Sequence, residues 1–310
     1  SAYFYDGVSN DQFIATPEYG ILRGQNNEFY LHAASFDNIS AYSSAGGQDV
    51  AYLYDGAGND LFIGQANYSL MAAQNGSFTN VALGFNEVYG LATQGGSDTA
   101  NLYDGAGDDT FVGRHNYGML RANNGDFFNF TTGFDRVNGF ASGGGRDEAY
   151  LYDGATDDRL VAGPTYALLF SLTGEFSNYA TGFDAVYALA TGGGTDYATF
   201  HDSADNDLFT SRSAYSSMED SAGTYRNYAS GFDGVYAYST HGGNDTASLY
   251  DSAASDTVFG RDDYCILTGT NSINRATGFS AIDFTRLHCD ASDVDVSAVD
   301  YYFEHIDGSI

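Results

Sequence analysis

The chain has 310 residues, with 41 acidic side chains against 11 basic ones, a net charge of −30, and every basic residue is arginine. Without lysine there is no Schiff-base chemistry and no phosphate loop ending in Gly-Lys, and so acidic a chain lacks the basic surface that nucleic-acid binding needs. Hydrophobic residues at 43% exclude a disordered polyampholyte, and no apolar run approaches the ~20 residues of a membrane helix.

At the start, Ser1-Ala2-Tyr3-Phe4-Tyr5-Asp6 has neither a basic n-region nor an apolar h-region, so a mature end or a cut inside a longer protein is expected there. From Asp6 onward the sequence repeats every 49 residues: Asp6, Asp55, Asp104, Asp153, Asp202 and Asp251 follow a tyrosine, or His201 in the fifth copy. A tyrosine column (Tyr19, Tyr68, Tyr117, Tyr166, Tyr215, Tyr264) and the Gly-Gly-x-Asp turns (Asp49, Asp98, Asp147, Asp196, Asp245) keep the same period. Six copies are predicted, starting near 1, 50, 99, 148, 197 and 246 and filling residues 1–293.

Within the third copy the predicted strands are 100–104, 109–113, 117–120, 127–131 and 137–141, separated by Gly105-Ala106-Gly107, by Asn124-Gly125 and by Gly143-Gly144-Gly145. Aromatic and β-branched runs between Gly and Asn-Gly turns are strand signals. A half-repeat, Gly-x-Asp-x-apolar at Gly107–Phe111 and again at Gly133–Val137, divides 49 into 26 and 23. The expected fold is an all-β parallel β-helix, or solenoid, with two rungs per repeat. A six-bladed β-propeller is the alternative.

The half-repeat aligns Asp11, Asp37, Asp60, Asn86, Asp109, Asp135, Asp158, Asp184, Asp207, Asp233, Asp256 and Ser280 in one ladder. Carboxylates ~4.8 Å apart on neighbouring strands repel by ~0.9 kcal/mol in water, and more near protein. Such side chains either splay into solvent as turn-formers or share cations. The stretch Asp104-Gly105-Ala106-Gly107-Asp108-Asp109-Thr110-Phe111-Val112 resembles the RTX-type calcium-binding nonapeptide, and Asp55–Ile63 does so too. That resemblance implies Ca²⁺ at the aspartate ladder, with Asp6, Asp55, Asp104, Asp153, Asp202 and Asp251 as a second column of ligands. The departures are at the fourth place, where Ser9, Thr156, Asp205 and Ala254 replace glycine, and in the spacing, since the nonapeptides are not consecutive. As a whole the chain resembles the tandem Tyr-Asp and Gly-Gly-x-Asp repeats of large secreted planctomycete-type bacterial proteins.

Copy six is shortened, and its Cys265 lies 24 residues before Cys289. If these occupy equivalent places on adjacent rungs, a disulfide is expected, together with an oxidising compartment. Over 294–310, Val296, Val299, Phe303 and Ile306 recur at helical spacing behind Ser297, predicting a short helical cap. No such cap is visible at the first rung, where end-to-end self-association is expected.

The histidines His32, His115, His201, His241, His288 and His305 fall at different repeat phases and give no metal spacing. Arg114, Arg121, Arg136, Arg146 and Arg159, with His115, form the one stretch that could meet an acidic polysaccharide. The expected function is a secreted or cell-surface, calcium-stabilised structural or adhesive segment of a stalk, surface layer or filament, without catalysis. The alternatives are a polysaccharide-active β-helix enzyme and a carbohydrate-binding module.

Overall fold

The computed structural model describes residues 1–25, 28–252, 256–270, 272–285, 294–296 and 306–307. The first three copies contribute β1 (Ala2–Tyr5), β2 (Asp11–Ala15), β3 (Tyr19–Gly24), β4 (Tyr30–Ala34) and β5 (Asn38–Tyr42); β6 (Val50–Tyr54), β7 (Asp60–Gly64), β8 (Tyr68–Ala73), β9 (Thr79–Leu83) and β10 (Glu87–Leu91); and β11 (Thr99–Tyr103), β12 (Asp109–Gly113), β13 (Tyr117–Ala122), β14 (Phe128–Thr132) and β15 (Arg136–Phe140). Copies four to six contribute β16 (Glu148–Tyr152), β17 (Asp158–Gly163), β18 (Tyr166–Ser171), β19 (Ser177–Thr181) and β20 (Ala185–Leu189); β21 (Tyr197–His201), β22 (Asp207–Ser211), β23 (Tyr215–Asp220), β24 (Arg226–Ser230) and β25 (Gly234–Tyr238); and β26 (Thr246–Tyr250), β27 (Asp256–Arg261), β28 (Tyr264–Thr268), β29 (Ile273–Thr277) and β30 (Ala281–Thr285).

The chain divides into two compact units, Ser1–Ala149 with Glu175–Gly182, and Tyr150–Gly174 with Phe183–Ile310. In the first unit one sheet runs β1-β5-β9-β8-β7-β11-β15-β19 and the other β12-β13-β14-β10-β6-β2-β3-β4. In the second unit the orders are β18-β17-β21-β25-β29-β28-β27-β31 and β32-β30-β26-β22-β23-β24-β20-β16, where β31 is Val294–Val296 and β32 is Ile306–Asp307. Strands coming from successive passes pair in parallel, for example Gln12 with Val50 and Val50 with Glu87. This is a β-solenoid, not a propeller.

Two details differ from the expectation. Each copy makes three passes, not two rungs, and its middle pass is a three-stranded antiparallel meander such as β12-β13-β14. The outer strands of the meander join the parallel ladder. Its central strand is antiparallel to both, so the solenoid is mixed.

Alternation explains the packing. In β11 the burial pattern is i-B-i-B-i, with Ala100 and Leu102 inward and Thr99, Asn101 and Tyr103 outward, as a strand with one face on a core requires. Phe13, Phe62, Phe111 and Phe209 fill the interior at 0% exposure, each contributing about 1.5–3 kcal/mol of burial. Buried polar groups are tied across layers: the amide of Asn80 donates to the carbonyl of Thr16 at 2.9 Å, and that of Asn227 to Gly163 at 2.9 Å.

Glycine is required where layers close up. Gly133 has φ +82°, and a Cβ there would lie 2.0 Å from the carbonyl oxygen of Ala92. Gly84, Gly182, Gly231 and Gly278 repeat this conformation and this approach. The equivalent position in copy one is Ser35, at φ +61°.

The expected helical cap is corrected. The sequence predicts a helix through Val296 and Ile306, but Val294–Val296 pairs in parallel with β27 and Ile306–Asp307 with β30; the rest of 294–310 lies outside the described residues. Strand addition satisfies the exposed main-chain groups of a sheet edge directly, which a helix does not. Cys265 is a buried free thiol, and Cys289 lies outside the described residues. Cys265 stands on the central strand of a meander, opposite Gly260 and Ala276. Its strand neighbours are therefore 5 and 11 residues away in sequence, and the expected bridge to Cys289 falls on a residue outside the described ones.

Candidate metal centre at the corners

Each copy crosses from one sheet to the other at a corner that begins on an aspartate. A tight corner strands main-chain N–H groups, and Asp or Asn side chains are suited to accept them. In copy three, Asp104 Oδ2 accepts from Ser142 N at 2.8 Å and Gly143 N at 2.7 Å, both one layer on. Asp109 Oδ2 accepts from Gly105 N at 2.9 Å, and Asp147 Oδ1 from Asp109 N at 2.8 Å. Copies two, four and five repeat the last bond at Asp60–Asp98, Asp158–Asp196 and Asp207–Asp245.

The strand starts form short rows. Asp60 opens β7, and Asp98 and Asp135 immediately precede β11 and β15 in the same register, with Asp98 N donating to Asp135 Oδ2 at 2.7 Å. In the second unit Asp158, Asp196 and Asp233 do the same, with Asp196 N donating to Asp233 Oδ2 at 2.8 Å. The ladder expected from the half-repeat thus separates into two kinds of position. Asp11, Asp60, Asp109, Asp158, Asp207 and Asp256 are buried; Asp135, Asp184 and Asp233 are half-buried and Asp37 is exposed. Between the two kinds stand the aspartates of the Gly-Gly-x-Asp turns, which the ladder omitted.

A further column lies beside these aspartates. Asn10, Asn59, Asp108, Asp157 and Asn206 each accept from a main-chain N–H 38 residues on. Its 49-residue spacing was visible in the sequence. Asn and Asp interchange there because one oxygen acceptor is enough and no charge is needed. The columns that are aspartate in every copy are the ones that meet at the corner.

There, one carboxylate oxygen from each of Asp104, Asp109 and Asp147 lies within 4.8 Å of the others, and Asp153, Asp158, Asp196 and Asp202, Asp207, Asp245 form the same groups. Pairs of like charges at this distance repel by ~3–4 kcal/mol at an effective dielectric of about 20. Asp109 is 0% exposed, and its Oδ1 is buried without a hydrogen-bond partner. Asp11 Oδ1 and Asp60 Oδ1 are in the same condition. Burial pushes the Asp60 and Asp109 carboxyls up, against the Gly56 and Gly105 N–H groups that favour the charged form. Asp196 is pushed up to about 6, by burial first and then by Asp153, Asp158 and Asp233. An oxygen-only set of buried carboxylates with a spare lone pair fits a hard divalent cation, so these clusters can hold a metal ion.

Copy five is built differently. Tyr225 stands where Phe29, Phe78, Phe127 and Phe176 stand, and its hydroxyl donates to Asp207 Oδ1 at 2.6 Å. Ser203 replaces the corner glycine and donates to Asp207 Oδ2 at 2.9 Å. Ser239 donates to Asp245 Oδ2 at 2.6 Å, where copy three has Ala141. His241 Nδ1 lies 2.6 Å from Asp202 Oδ1. Burial works against the Asp202 anion, but the N–H groups of His241 and Thr240 and the imidazole hold its carboxyl below the usual range.

The arginines of copies three and four have separate surroundings. Arg114 lies over Tyr117, Arg159 lies over Tyr197 at 4.5 Å, and Arg121 lines a cavity of about 420 Å³ with Asn86, Glu87 and Phe127. His115 packs edge-on against Phe176, and His201 stacks on Tyr238. No protein-family model, curated protein or solved structure matches the chain.

Proposed function

We propose that the protein is a secreted or cell-surface structural segment, of a stalk, surface layer or filament, whose corners are stabilised by Ca²⁺. The observation that carries this is the buried, unpartnered Oδ1 of Asp109 inside a group of three carboxylates. Calcium takes oxygen ligands from carboxylates and main-chain carbonyls, and extracellular modules use sites of 10⁻⁴–10⁻³ M, which the calcium outside cells fills. A cation that binds only the folded chain adds about 1.4 kcal/mol per site at ten times its Kd. Each further corner that takes a cation adds the same increment, and the three-carboxylate group recurs along the described residues. For adhesion the available surface is the outward aromatic pairs, such as Tyr52 with Tyr89 at 5.1 Å and Tyr103 with Phe140 at 4.7 Å, flat apolar faces suited to an extracellular polysaccharide.

Calcium added to chelator-treated protein is expected to raise the melting temperature. If neither melting temperature nor circular dichroism responds, calcium has no part in holding the corners.

A further inference from the structure

We propose that corner five is closed by its own side chains and takes no cation, whereas corner three is the cation-taking form of the same design. This rests on the calcium reading above and adds which corners bind. The two corners share their main-chain bonds: Asp147 Oδ1 caps Asp109 N, and Asp245 Oδ1 caps Asp207 N, each at 2.8 Å. They differ in what reaches the carboxylates from the side. In corner three the ring facing the corner belongs to Phe127, the turn residue is Gly105, and Ala141 and Gly143 occupy the next layer. None of these has a side-chain donor, and Asp109 Oδ1 is left bare.

In corner five all four positions carry a donor: Tyr225, Ser203, Ser239 and His241. Tyr225 is as deeply buried as Phe127, both at 4% exposure, so its hydroxyl extends an existing ring position into the place where copy three has nothing. Three hydroxyl groups and one imidazole supply what a bound ion supplies elsewhere. Two of these donors recur singly, Ser43 on Asp49 Oδ2 at 2.6 Å in copy one and Ser252 on Asp256 Oδ1 at 3.1 Å in copy six, but copy five combines all four on the same group of carboxylates.

Calcium titration calorimetry on the full chain, with melting in chelator, tests this. Phe127→Tyr is expected to lower the calcium stoichiometry by one per chain and to raise the melting temperature in chelator. The fourfold variant Ser203→Gly, Tyr225→Phe, Ser239→Ala, His241→Gly is expected to raise the stoichiometry by one; should it not fold, Phe127→Tyr decides alone. Wild-type protein that binds calcium with a stoichiometry unchanged by Phe127→Tyr overturns this inference and leaves the calcium reading standing. Wild-type protein that takes up no calcium overturns both.

Discussion

Asn129 joins two layers of the first unit: its Nδ2 donates to the carbonyl of Gln65, 64 residues earlier, at 3.1 Å, while its Oδ1 accepts from the Ser69 hydroxyl at 2.8 Å. Asn129 is 1% exposed, so both bonds form away from water. Asn129→Ala leaves the Ser69 hydroxyl and the Gln65 carbonyl without that partner. The expected loss is ~1–3 kcal/mol, read as a lower melting temperature with an unchanged far-ultraviolet spectrum.

The corner carboxyls set a pH dependence. Asp60, Asp98, Asp109 and Asp196 are raised in the folded chain, mainly by burial, with Asp196 at about 6 against an ordinary 3.8. A raised carboxyl means the folded state holds its proton more tightly than the unfolded state does. The stability this contributes is complete below about pH 4 and is lost as pH rises through about 6. In chelator the melting temperature is therefore expected to fall between pH 4 and 7. With calcium the fall should shrink, since the cation binds the deprotonated form.

Charge and acceptor roles separate by column. Asp108→Asn keeps the oxygen that accepts from Arg146 N at 2.8 Å, and Asn already stands at 10, 59 and 206. Calcium binding and stability are expected to be unchanged. Asp109→Asn removes one charge of the corner-three cluster and is expected to cost one calcium per chain in the same titration.

Gly133→Ala and Ser35→Gly are opposite tests of one position. A methyl at 133 meets the Ala92 carbonyl in addition to the left-handed φ of +82°, and a loss above ~1–3 kcal/mol is expected. Ser35 holds φ +61°, so Ser35→Gly relieves strain and is expected to gain up to about 1 kcal/mol. Thermal melting of both variants checks the signs.

Burial pushes the Cys265 thiol up to about 12. In a Cys289→Ser background, a thiol reagent at pH 8 is expected to find no reactive group in the native chain and one after denaturation. Rapid native labelling would contradict the buried position on β28.

The repeat, the all-β class and the acidic columns were legible because turn chemistry is local: Gly, Asn-Gly and Asp recur wherever a corner or hairpin recurs. What one period does not encode is pass number. The strands 117–120 and 127–131 were readable, but whether they advance the solenoid or fold back as β13 and β14 depends on partners 41 residues away, as with Glu87 and Phe128. The same limit applies to Cys265, whose strand neighbours are set by the meander. At 294–296, the three residues Val-Asp-Val are too short to show a period of their own and take the free edge of β27. Tyr225 differs from Phe127 by a single oxygen, and its meaning appears only once that oxygen is seen on Asp207.

Three passes per copy is an odd number. In the first unit, the meander of copy one lies in one sheet, that of copy two in the other, and that of copy three returns to the first. Copy number therefore has a parity. Duplicating a single 49-residue unit would exchange the two faces for every residue downstream, moving each outward tyrosine pair to the opposite side. Duplicating two units together would lengthen the protein and leave each face as it was. A surface pattern read by a partner can therefore be extended only in steps of 98 residues.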